Sequence, residues 1–595
     1  MLEIFINNVK VDLPTDIEVN MTWENPFLLQ DRIPLTYSIS FDLPPTKKNL
    51  SLFNQARRLN SVGSWDRMSS FLRFNQIKFS IGHIILNEVE KKLSVNFTGS
   101  LISDLVKKKF TELTSIEDFL YDFGSGTRYS VDFSSGWGEL YKNTIFNNAT
   151  DLGNKFAACP VRIKDEEWGY EEDGYGNYNA DKLYFNMWNV NDGDYLFKEG
   201  ASPIHGVIFP QPYIHYLLST VFQGSLNDNF FANDQELRTL AMITSFHKKY
   251  TDSIMSSYKG VLLDSSSSDT TNYLHLASFF NKYSFADFFK DILKIFCCSL
   301  LPRPDGKLDI VHNKVILESD DITDWSNKLV GDPTISMQKA QNYAYGYQSE
   351  SLGSEEERYS IVASIDELMS SGKGEGTYQV AGTGEVYEKT LKDKEEETDP
   401  DEFEYERKET GLGGNTIEKD EDVEDYSISS SVRPVPMRIA DYWWENFSIT
   451  KYPWYVPEFG EDRTENDFSP YIGFMRGFYD ITNKQTVTAP SGYAGKYPFL
   501  TPYTYDMSGN KIGNYSLAWE GIDGLISHFH SDFKAYVEKD RRILKGKFRL
   551  TELDLKNINY LKKIYIRGSL FYLKKIEGTI KKQSISLCDV EMIEA

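Results

Sequence analysis

The sequence predicts a mainly β protein with α+β insertions, divided into several domains. Three observations support this prediction: a length of 595 residues, an aromatic content of 14%, and repeated stretches in which apolar and polar residues alternate. A chain of this length exceeds what one hydrophobic core normally organises, so we expect roughly three to five domains. Tyr, Phe, Val and Ile favour strands, and alternation with period 2 is typical of a strand with one buried face.

Charge is distributed unevenly along the chain. The formal net charge of −24 argues against nonspecific binding to nucleic acid, because such binding requires Lys and Arg to meet phosphates. Residues 391–425 hold 16 Asp and Glu against 5 Lys and Arg, a net of −11. A solvated loop is the ordinary explanation for such a run, and a site for a cation or a partner is the alternative.

The cysteines and the N-terminus indicate where the chain is made. Cys159, Cys297, Cys298 and Cys588 have neither a disulfide framework nor metal-ligand spacing, so we expect reduced, buried thiols. Charges interrupt the apolar residues of the N-terminus, unlike in a signal peptide. No uncharged apolar run reaches the ~20 residues that a membrane helix needs. We therefore expect synthesis in a cytoplasm without stable membrane insertion.

Residues 1–110 are predicted to form an N-terminal β-module. It begins with a strand, turns at 13–16, and continues as an extended run over 36–43. Two consecutive prolines then end the strand, because proline cannot donate a hydrogen bond to a neighbouring strand. Alternation resumes over 78–98, with a turn expected near 87–90.

Residues 111–205 have the composition of an irregular, aromatic-rich insertion. Trp168 and Trp188 lie in it and could stack on sugars, although aromatic residues at this density also fill cores and interfaces. The acidic residues in 191–194 do not have the spacing of a calcium-binding EF-hand loop, so no metal site is predicted there.

Residues 206–335 are predicted to form an α+β domain. Apolar residues recur at helical spacing over 212–222, and Ser284 is placed to cap a second helix over 285–298. After that helix, the Pro-Asp-Gly sequence at 304–306 is expected to turn the chain into a strand.

Two further regions complete the predicted order. Residues 336–440 are expected to be strands interrupted by solvated loops, one glycine-rich at 372–384 and one acidic at 395–425. Residues 441–595 contain an aromatic-rich segment, a strand and then a helix over 516–541, and a closing β-module.

The closing module contains a predicted hairpin. Apolar and basic residues alternate from Lys563 to Ile576, with a break at 567–569, as in two strands joined by a tight turn. Its basic face could contact another subunit, and this face consists of Lys562, Lys563, Lys574 and Lys575.

Local patterns that suggest catalysis fail on their context. Asp122-Phe123-Gly124 lacks the other motifs of a protein kinase, and no glycine-rich stretch continues into a phosphate-binding Gly-Lys-Ser/Thr. His528 and His530, two residues apart on a predicted helix, point to different faces, so they are expected to be surface or partly packed residues without a shared metal. Cys297 and Cys298 lie in an apolar helix, which disfavours a nucleophile. We predict no enzyme activity, no cofactor and no metal.

Three separated segments resemble, in the same order, the tail hub (baseplate hub) proteins of tailed phages and prophages, particularly those of Bacteroides-like hosts. The first covers about 36–101. Its residues Phe41, Leu43, Pro44, Thr46 and Asn49 are similar to an F-x-L-P-x-T-x-x-N element, with an extra proline at 45, and it ends on the sequence F-T-G-S-L.

The second and third segments cover 284–330 and 515–595. The second contains D-F-F-K-D-I, then P-D-G-K-L-D-I, then D-W-S-N-K-L, and each part is similar to the hub proteins. The third contains G-L-I-S-H-F, which is similar to a hub helix, followed by the closing hairpin.

The resemblance implies a gp27-like fold with small β-barrel tube domains. It further implies a structural virion protein, made in the host cytoplasm, that forms a homotrimer joining the tail tube to the tail tip or baseplate. Two similar barrels per subunit would give a pseudo-sixfold ring. Tail tube, tail-tip and tape-measure proteins would be its neighbours. The alternatives are a receptor- or glycan-binding tail protein that uses the aromatic insertions, and a secreted or surface carbohydrate-active enzyme.

Overall fold

The computed structural model describes the two ends of the chain and several internal stretches. The described residues are 1–28, 36–56, 68–99, 156–157, 159, 161–162, 184–185, 188–189, 194–195, 211–222, 224–243, 284–303, 305, 307–347, 360–362, 365–370, 372, 374–380, 386–392, 403–408, 425–435, 437–444, 447–455, 470–480, 496–505 and 510–595.

Strands dominate the described residues, so the mainly β prediction is confirmed. The strands are Leu2–Ile6, Val9–Lys10, Glu18–Glu24, Thr36–Ser38, Phe41–Leu43, Met68–Phe74, Ile77–Val89, Leu93–Gly99, Phe156–Ala157, Val161–Arg162, Tyr184–Phe185, Trp188–Asn189, Asp194–Tyr195, Gln211–Pro212, Leu226–Asn227, Leu240–Ile243, Cys298–Pro302, Leu308–His312, Ile322–Asp324, Leu329–Gln338, Asn342–Tyr347, Ser360–Val362, Gly376–Val380, Val386–Leu391, Phe403–Lys408, Asp425–Ser430, Arg433–Pro434, Met437–Trp444, Phe447–Tyr455, Tyr471–Asp480, Lys496–Thr501, Arg541–Phe548, Lys563–Ile566, Ser569–Lys581 and Cys588–Glu594.

The helices of the described residues are short, and the longest has 11 residues. The α-helices are Lys47–Leu52, Ile214–Phe222, Asn229–Asn233, Phe285–Ile295, Asn313–Glu318, Ile365–Ser370, Ser531–Val537 and Glu552–Lys556; Ile526–His530 is a π-helix, and Pro26–Leu28, Leu237–Thr239 and Ser326–Lys328 are 3-10 helices.

One long strand, Ser569–Lys581, organises the largest sheet; we call it the shared strand. Along one edge it pairs first with Lys563–Ile566 and then with Glu18–Glu24, and along the other it pairs with Cys588–Glu594. Strands from the start and the end of the sequence therefore meet on it. The boundaries predicted between domains stay a prediction.

The N-terminal circuit runs from the shared strand back towards residue 2. Its members, in pairing order, are Glu18–Glu24, Thr36–Ser38, Leu93–Gly99, Ile77–Val89, Met68–Phe74 and Leu2–Ile6. At its far end the Leu2 backbone N–H donates to the carbonyl of Lys582, 2.8 Å away, directly after the shared strand. This bond brings the last strand of the circuit back to its starting point.

The C-terminal circuit lies on the other part of the shared strand. Its members, in pairing order, are Ile322–Asp324, Lys563–Ile566, the shared strand, Cys588–Glu594, Arg541–Phe548 and Leu329–Gln338. The first and last of these strands are consecutive in the sequence, joined through the 3-10 helix Ser326–Lys328. The described pairings leave both circuits open, so closed barrels stay a prediction.

The predicted hairpin of the closing module is confirmed. Lys563–Ile566 and Ser569–Lys581 pair antiparallel, and the two turn residues, Arg567 and Gly568, have φ of 44° and 100°. Positive φ at both residues is the conformation of a type I′ turn, whose twist matches that of two paired strands.

The two predicted helices of the α+β region are confirmed, but one ends earlier than expected. Ser284 caps Phe285–Ile295, accepting a hydrogen bond from the Asp287 backbone N–H. Cys297 has a φ of 50°, which breaks the helix, and Cys298 opens a strand. The prediction that both cysteines lie within the helix was therefore wrong.

Other local predictions also need correction. The turn expected near 87–90 comes later, because Ile77–Val89 stays extended. The glycine-rich and acidic segments, expected to be loops, contain the strands Gly376–Val380 and Phe403–Lys408. A strand was expected before the helix of 516–541, but turns and bends occupy 517–524. The composition of a whole segment does not reveal a short strand within it, because the strand forms by pairing with residues outside that segment.

Candidate assembly site

The residues that carry the family resemblance lie at corners of the sheets. In the first segment, Thr46 caps the helix Lys47–Leu52 through its hydroxyl, which accepts from the Asn49 backbone N–H at 3.2 Å. The fully buried Asn49 side chain accepts from the Asp12 N–H (2.9 Å) and donates to the carbonyls of Asp12 (2.9 Å) and Pro44 (2.8 Å). The T-x-x-N element thus fastens two extended segments together.

A second corner joins the ends of the C-terminal circuit. The Asp324 carboxylate accepts from the Ser326 backbone N–H at 2.8 Å, an Asx turn that starts the 3-10 helix. The buried Trp325 ring packs on Phe548, with ring centroids 6.0 Å apart. Lys328 forms an ion pair with Asp554 at 2.7 Å. The D-W-S-N-K-L element therefore forms a turn that is held by a hydrogen bond, an aromatic contact and an ion pair.

A third corner precedes the helix Ser531–Val537. A side chain at Gly524 would place its Cβ 2.2 Å from the Glu520 carbonyl oxygen, so only glycine fits. Leu525 is fully buried, and Phe529 packs against Phe296 at a centroid distance of 5.3 Å. The G-L-x-x-x-F element is thereby explained by close packing.

The helix Phe285–Ile295 holds a neighbouring segment through a buried carboxylate. Asp291 accepts from the backbone N–H and hydroxyl of Ser431, at 2.8 and 2.6 Å, and from the Val432 N–H at 3.2 Å. A carboxylate that satisfies several donors in this way stabilises a loop.

Two buried histidines contribute to packing. His530 is fully buried, with Nδ1 2.8 Å from the Tyr343 hydroxyl and Nε2 2.9 Å from the Ile295 carbonyl oxygen. Burial lowers the pKa of His530 to about 4 and also lowers the pKa of His312. The prediction of a surface or partly packed residue holds for the exposed His528 and is wrong for His530. Periodicity alone does not reveal which of two helical histidines faces a core.

The four cysteines are buried and free, as predicted. Burial raises the pKa of Cys297 and of Cys588 to about 12, and raises those of Cys159 and Cys298 as well. Since the thiolate is the nucleophilic form, these thiols are poorly suited to attack a substrate.

One buried ion-pair network was not anticipated from the sequence. The Arg476 guanidinium, almost fully buried, contacts the Glu236 carboxylate and donates to the carbonyls of Tyr503 (3.1 Å) and Tyr515 (2.6 Å). The same carboxylate accepts from the Asn514 N–H at 2.8 Å. Glu236 and Arg476 are 240 positions apart, so no local pattern announces their pairing.

The lysines predicted as a subunit contact make contacts within the chain. Lys563 Nζ donates to the Leu317 carbonyl at 2.9 Å. Lys574 pairs with Glu591 and Lys575 with Glu577, both at 2.8 Å. Lys562 donates its backbone N–H to the Asn559 carbonyl. These lysines line the C-terminal circuit, and their role towards another subunit stays a prediction.

The residues predicted as glycan contacts have no described side-chain surroundings. Trp168 lies outside the described residues, as do most of 111–205. Trp188 starts a two-stranded ladder in which it faces Tyr195, and its side chain lies outside the described part. Asp122, Phe123 and Gly124 also lie outside it.

The free edge of the C-terminal circuit is exposed over most of its length. Leu329–Gln338, which we call the edge strand, pairs only with Arg541–Phe548 among the described strands. Ile335 and Met337 are 52% and 54% exposed. Ile335 lies opposite Leu544, a buried residue, so it points towards the inner face of the circuit and is nevertheless uncovered.

Two kinds of site were searched for within the described residues. These residues include no helix long and apolar enough to cross a membrane. Within the same ranges, no group of three or more His, Cys, Asp or Glu side chains could hold a metal ion.

No protein-family model matches the chain, and no curated protein does. Two solved structures align with all of it. The 43 kDa tail protein of prophage MuSo2 from Shewanella oneidensis is 5% identical, is covered over 98% of its length, and gives a TM-score of 0.29. The tail protein from Neisseria meningitidis MC58 is 7% identical, is covered over 96%, and gives a TM-score of 0.28. Likeness at these scores supports no conclusion about this chain.

Proposed function

We propose that this chain is a structural protein of a phage tail, a trimeric hub that joins the tail tube to the tail tip or baseplate. One observation carries the proposal. The three segments that resemble hub proteins are far apart in the sequence, yet strands from all three pair in one sheet of two circuits around the shared strand Ser569–Lys581.

The resembling residues support a structural role because each holds the fold. Thr46 and Asn49 fasten the N-terminal circuit, Trp325 packs at the ends of the C-terminal circuit, and Gly524 fits a turn that no other residue fits. Residues that catalyse a reaction converge on a cleft, whereas these are distributed over separate corners.

The two circuits suit a symmetry mismatch. A threefold assembly of subunits that each carry two similar barrels presents six barrels in a ring, which can meet a sixfold tube on one side and a threefold tip on the other. A closed cyclic trimer satisfies this requirement, and an isologous dimer does not. The Leu2–Lys582 bond and the Ser326–Lys328 connection bring the ends of each circuit together, which supports barrel-like modules. Tail tube, tail-tip and tape-measure proteins are the proposed partners within the virion.

Mass photometry and electron microscopy of the purified full-length protein test the proposal. We expect a trimer and a threefold ring with six density lobes around the axis. A monomer at micromolar concentration would contradict the trimeric hub. Binding of the full-length chain to a glycan array without formation of a trimer, and lost in Trp168→Ala/Trp188→Ala, would favour a receptor-binding tail protein. Hydrolysis of a bacterial polysaccharide would contradict the non-enzymatic role.

A further inference from the structure

We propose that the edge strand Leu329–Gln338 binds the strand Phe403–Lys408 of a second copy of this chain by strand addition. The inference deepens the proposed function and rests on it, because it assigns the contact between neighbouring subunits of the trimer. It is supported by the exposed edge of Leu329–Gln338, with which no described strand pairs, by the alternation of apolar and acidic residues in Phe403–Lys408, and by the distribution of charge.

The two halves of the edge strand differ in how they are protected. Its first half is interrupted by Gly331, with a φ of 77°, by Pro333, and by a register shift between Val330 and Thr334. Such interruptions prevent another strand from pairing. Its second half, Thr334–Gln338, pairs regularly with Arg541–Lys545 and carries no charged side chain.

The unprotected half also exposes part of the inner face. Ile335 shares the face of the buried Leu544, and Met337 lies two residues further along the same face. More than half of each side chain is exposed. A monomer that leaves inward-facing apolar residues uncovered gains by burying them against another strand.

The strand Phe403–Lys408 is a complementary edge. It ends a four-stranded sheet, pairing with Val386–Leu391 on one side and with no described strand on the other. Apolar Phe403 and Tyr405 alternate with exposed Glu404 and Glu406. The unprotected half of the edge strand alternates in the same way, with Ile335 and Met337 on one face and Thr334 and Ser336 on the other.

Charge favours this partner over a second edge strand. The segment 541–595, which supplies the strand beside the edge strand, holds 13 Lys and Arg against 6 Asp and Glu, a net of +7 in an acidic chain. Lys545, which forms an ion pair with Glu591 at 3.2 Å and is 57% exposed, lies directly opposite Thr334, on the face away from Ile335. Residues 391–425, which contain Phe403–Lys408, have a net charge of −11; within the strand itself, Glu404 and Glu406 are followed by Arg407 and Lys408. Added to the edge, Glu404 and Glu406 would lie on the face of Lys545.

The geometry of the contact also suits a ring. The two edges differ, and within one chain they are not paired with each other. A contact between two different surfaces is heterologous, so each copy offers one surface to each neighbour and the assembly can close. Pairing of the edge strand with itself would instead give a twofold dimer.

Disulfide trapping tests the contact on the full chain. The four native cysteines are buried, which keeps background cross-linking low. We expect S336C/E404C, for antiparallel addition, or S336C/E406C, for parallel addition, to give covalent dimers and trimers on mild oxidation, whereas each single variant stays monomeric on a denaturing gel. Covalent dimers of S336C alone would indicate self-pairing of the edge strand and would overturn the inference.

A matched pair of substitutions provides a second test. Ile335→Lys should raise the concentration at half-dissociation of the trimer by at least about tenfold, because a charge would be buried at the contact. Val315→Lys, at a residue that is 53% exposed against 52% for Ile335, should leave it unchanged. The inference is overturned, and the hub proposal is left intact, if the wild type is a trimer, Ile335→Lys remains a trimer, and neither double-cysteine variant cross-links. A wild-type monomer overturns the trimeric hub itself.

Discussion

The N-terminal and C-terminal circuits share one strand but differ in what covers their inner faces. In the N-terminal circuit, inward residues such as Ile84 and Phe97 are fully buried, and the Leu2–Lys582 hydrogen bond joins its ends. In the C-terminal circuit, the inward residues Ile335 and Met337 are half exposed at a free edge. Two circuits with similar strand orders therefore differ in coverage: the inner face of one is covered within the chain, and the other leaves part of its inner face open to a partner.

The largest expected effect comes from truncating matched isoleucines in the two circuits. Ile84→Ala should destabilise the chain by about 2 to 5 kcal/mol, because it leaves a cavity in a fully buried core. Ile335→Ala should cost less than about 0.5 kcal/mol in the dissociated chain, as at exposed positions generally. Urea unfolding midpoints at two protein concentrations check this. The loss for Ile335→Ala should grow with concentration, since assembly stabilises the folded state by mass action.

Equal losses for the two variants at every concentration would contradict the comparison. They would mean that Ile335 is covered within a single chain. The inner faces of the two circuits would then be equally covered.

Acid should weaken the helices that pack on the shared strand. His530 precedes Ser531–Val537, whose Tyr536 contacts Tyr572 of the shared strand. The pKa of His530 is lowered to about 4, so the unfolded chain takes up its proton first as the pH falls. Its contribution is therefore fully present above about pH 6.5 and is lost between about pH 6.5 and 4, on the order of 3 kcal/mol in all.

Urea midpoints at pH 7.5 and 4.5 measure this loss. His530→Gln should flatten the pH dependence relative to wild type, with His528→Gln, at an exposed site in the same helix, as the matched control. An unchanged slope in His530→Gln would show that other groups carry the acid sensitivity.

Local patterns in the sequence predicted elements better than their pairing. Alternation predicted the hairpin of Lys563–Ile566 with the shared strand, and a side-chain hydroxyl before an apolar stripe predicted the helix that starts after Ser284. Both signals depend on residues a few positions apart. The pairing of Glu18–Glu24 with the shared strand joins residues more than 550 positions apart, at Thr22 and Glu577. No local preference encodes such a ladder.

Only part of the candidate site could be predicted from the sequence, because local patterns do not show how distant segments pack. The resemblance pointed to residues such as Asn49 and Trp325 but gave no reason for them, and the structure shows that they hold corners. The exposure of Ile335 could not be predicted, because alternation assigns a residue to a face and does not say whether that face is covered.

The turns provide a smaller test of the two circuits. In the N-terminal circuit, Asn75 and Gln76 form a two-residue turn with φ of 46° and 68°; the matching turn of the C-terminal circuit is Arg567-Gly568. Positive φ strains a residue that has a Cβ. Gln76→Gly should therefore stabilise the chain by about 1 kcal/mol and Gly568→Ala should destabilise it by about 1 kcal/mol. Thermal unfolding checks both, with Gly372→Ala as a control that adds a methyl group in open space. Shifts of the same sign in the two turn variants would contradict this account of the turns.

The smallest effect is expected at the basic face of the C-terminal circuit. Lys574 pairs with Glu591 at 2.8 Å at a partly exposed site. Burial would raise the pKa of the Glu591 carboxyl, but Lys574 opposes this effect and helps to keep the pKa lowered. An ion pair at such a site is worth about 0 to 1 kcal/mol, so Lys574→Gln should change the unfolding midpoint little.

The effect of Lys574→Gln on assembly separates two roles for the basic face. If the lysines mainly support their own sheet, Lys574→Gln leaves the trimer dissociation constant unchanged while Ile335→Lys raises it, and the free edge is the contact. A rise in Lys574→Gln equal to that in Ile335→Lys would place the subunit contact on the basic face as well.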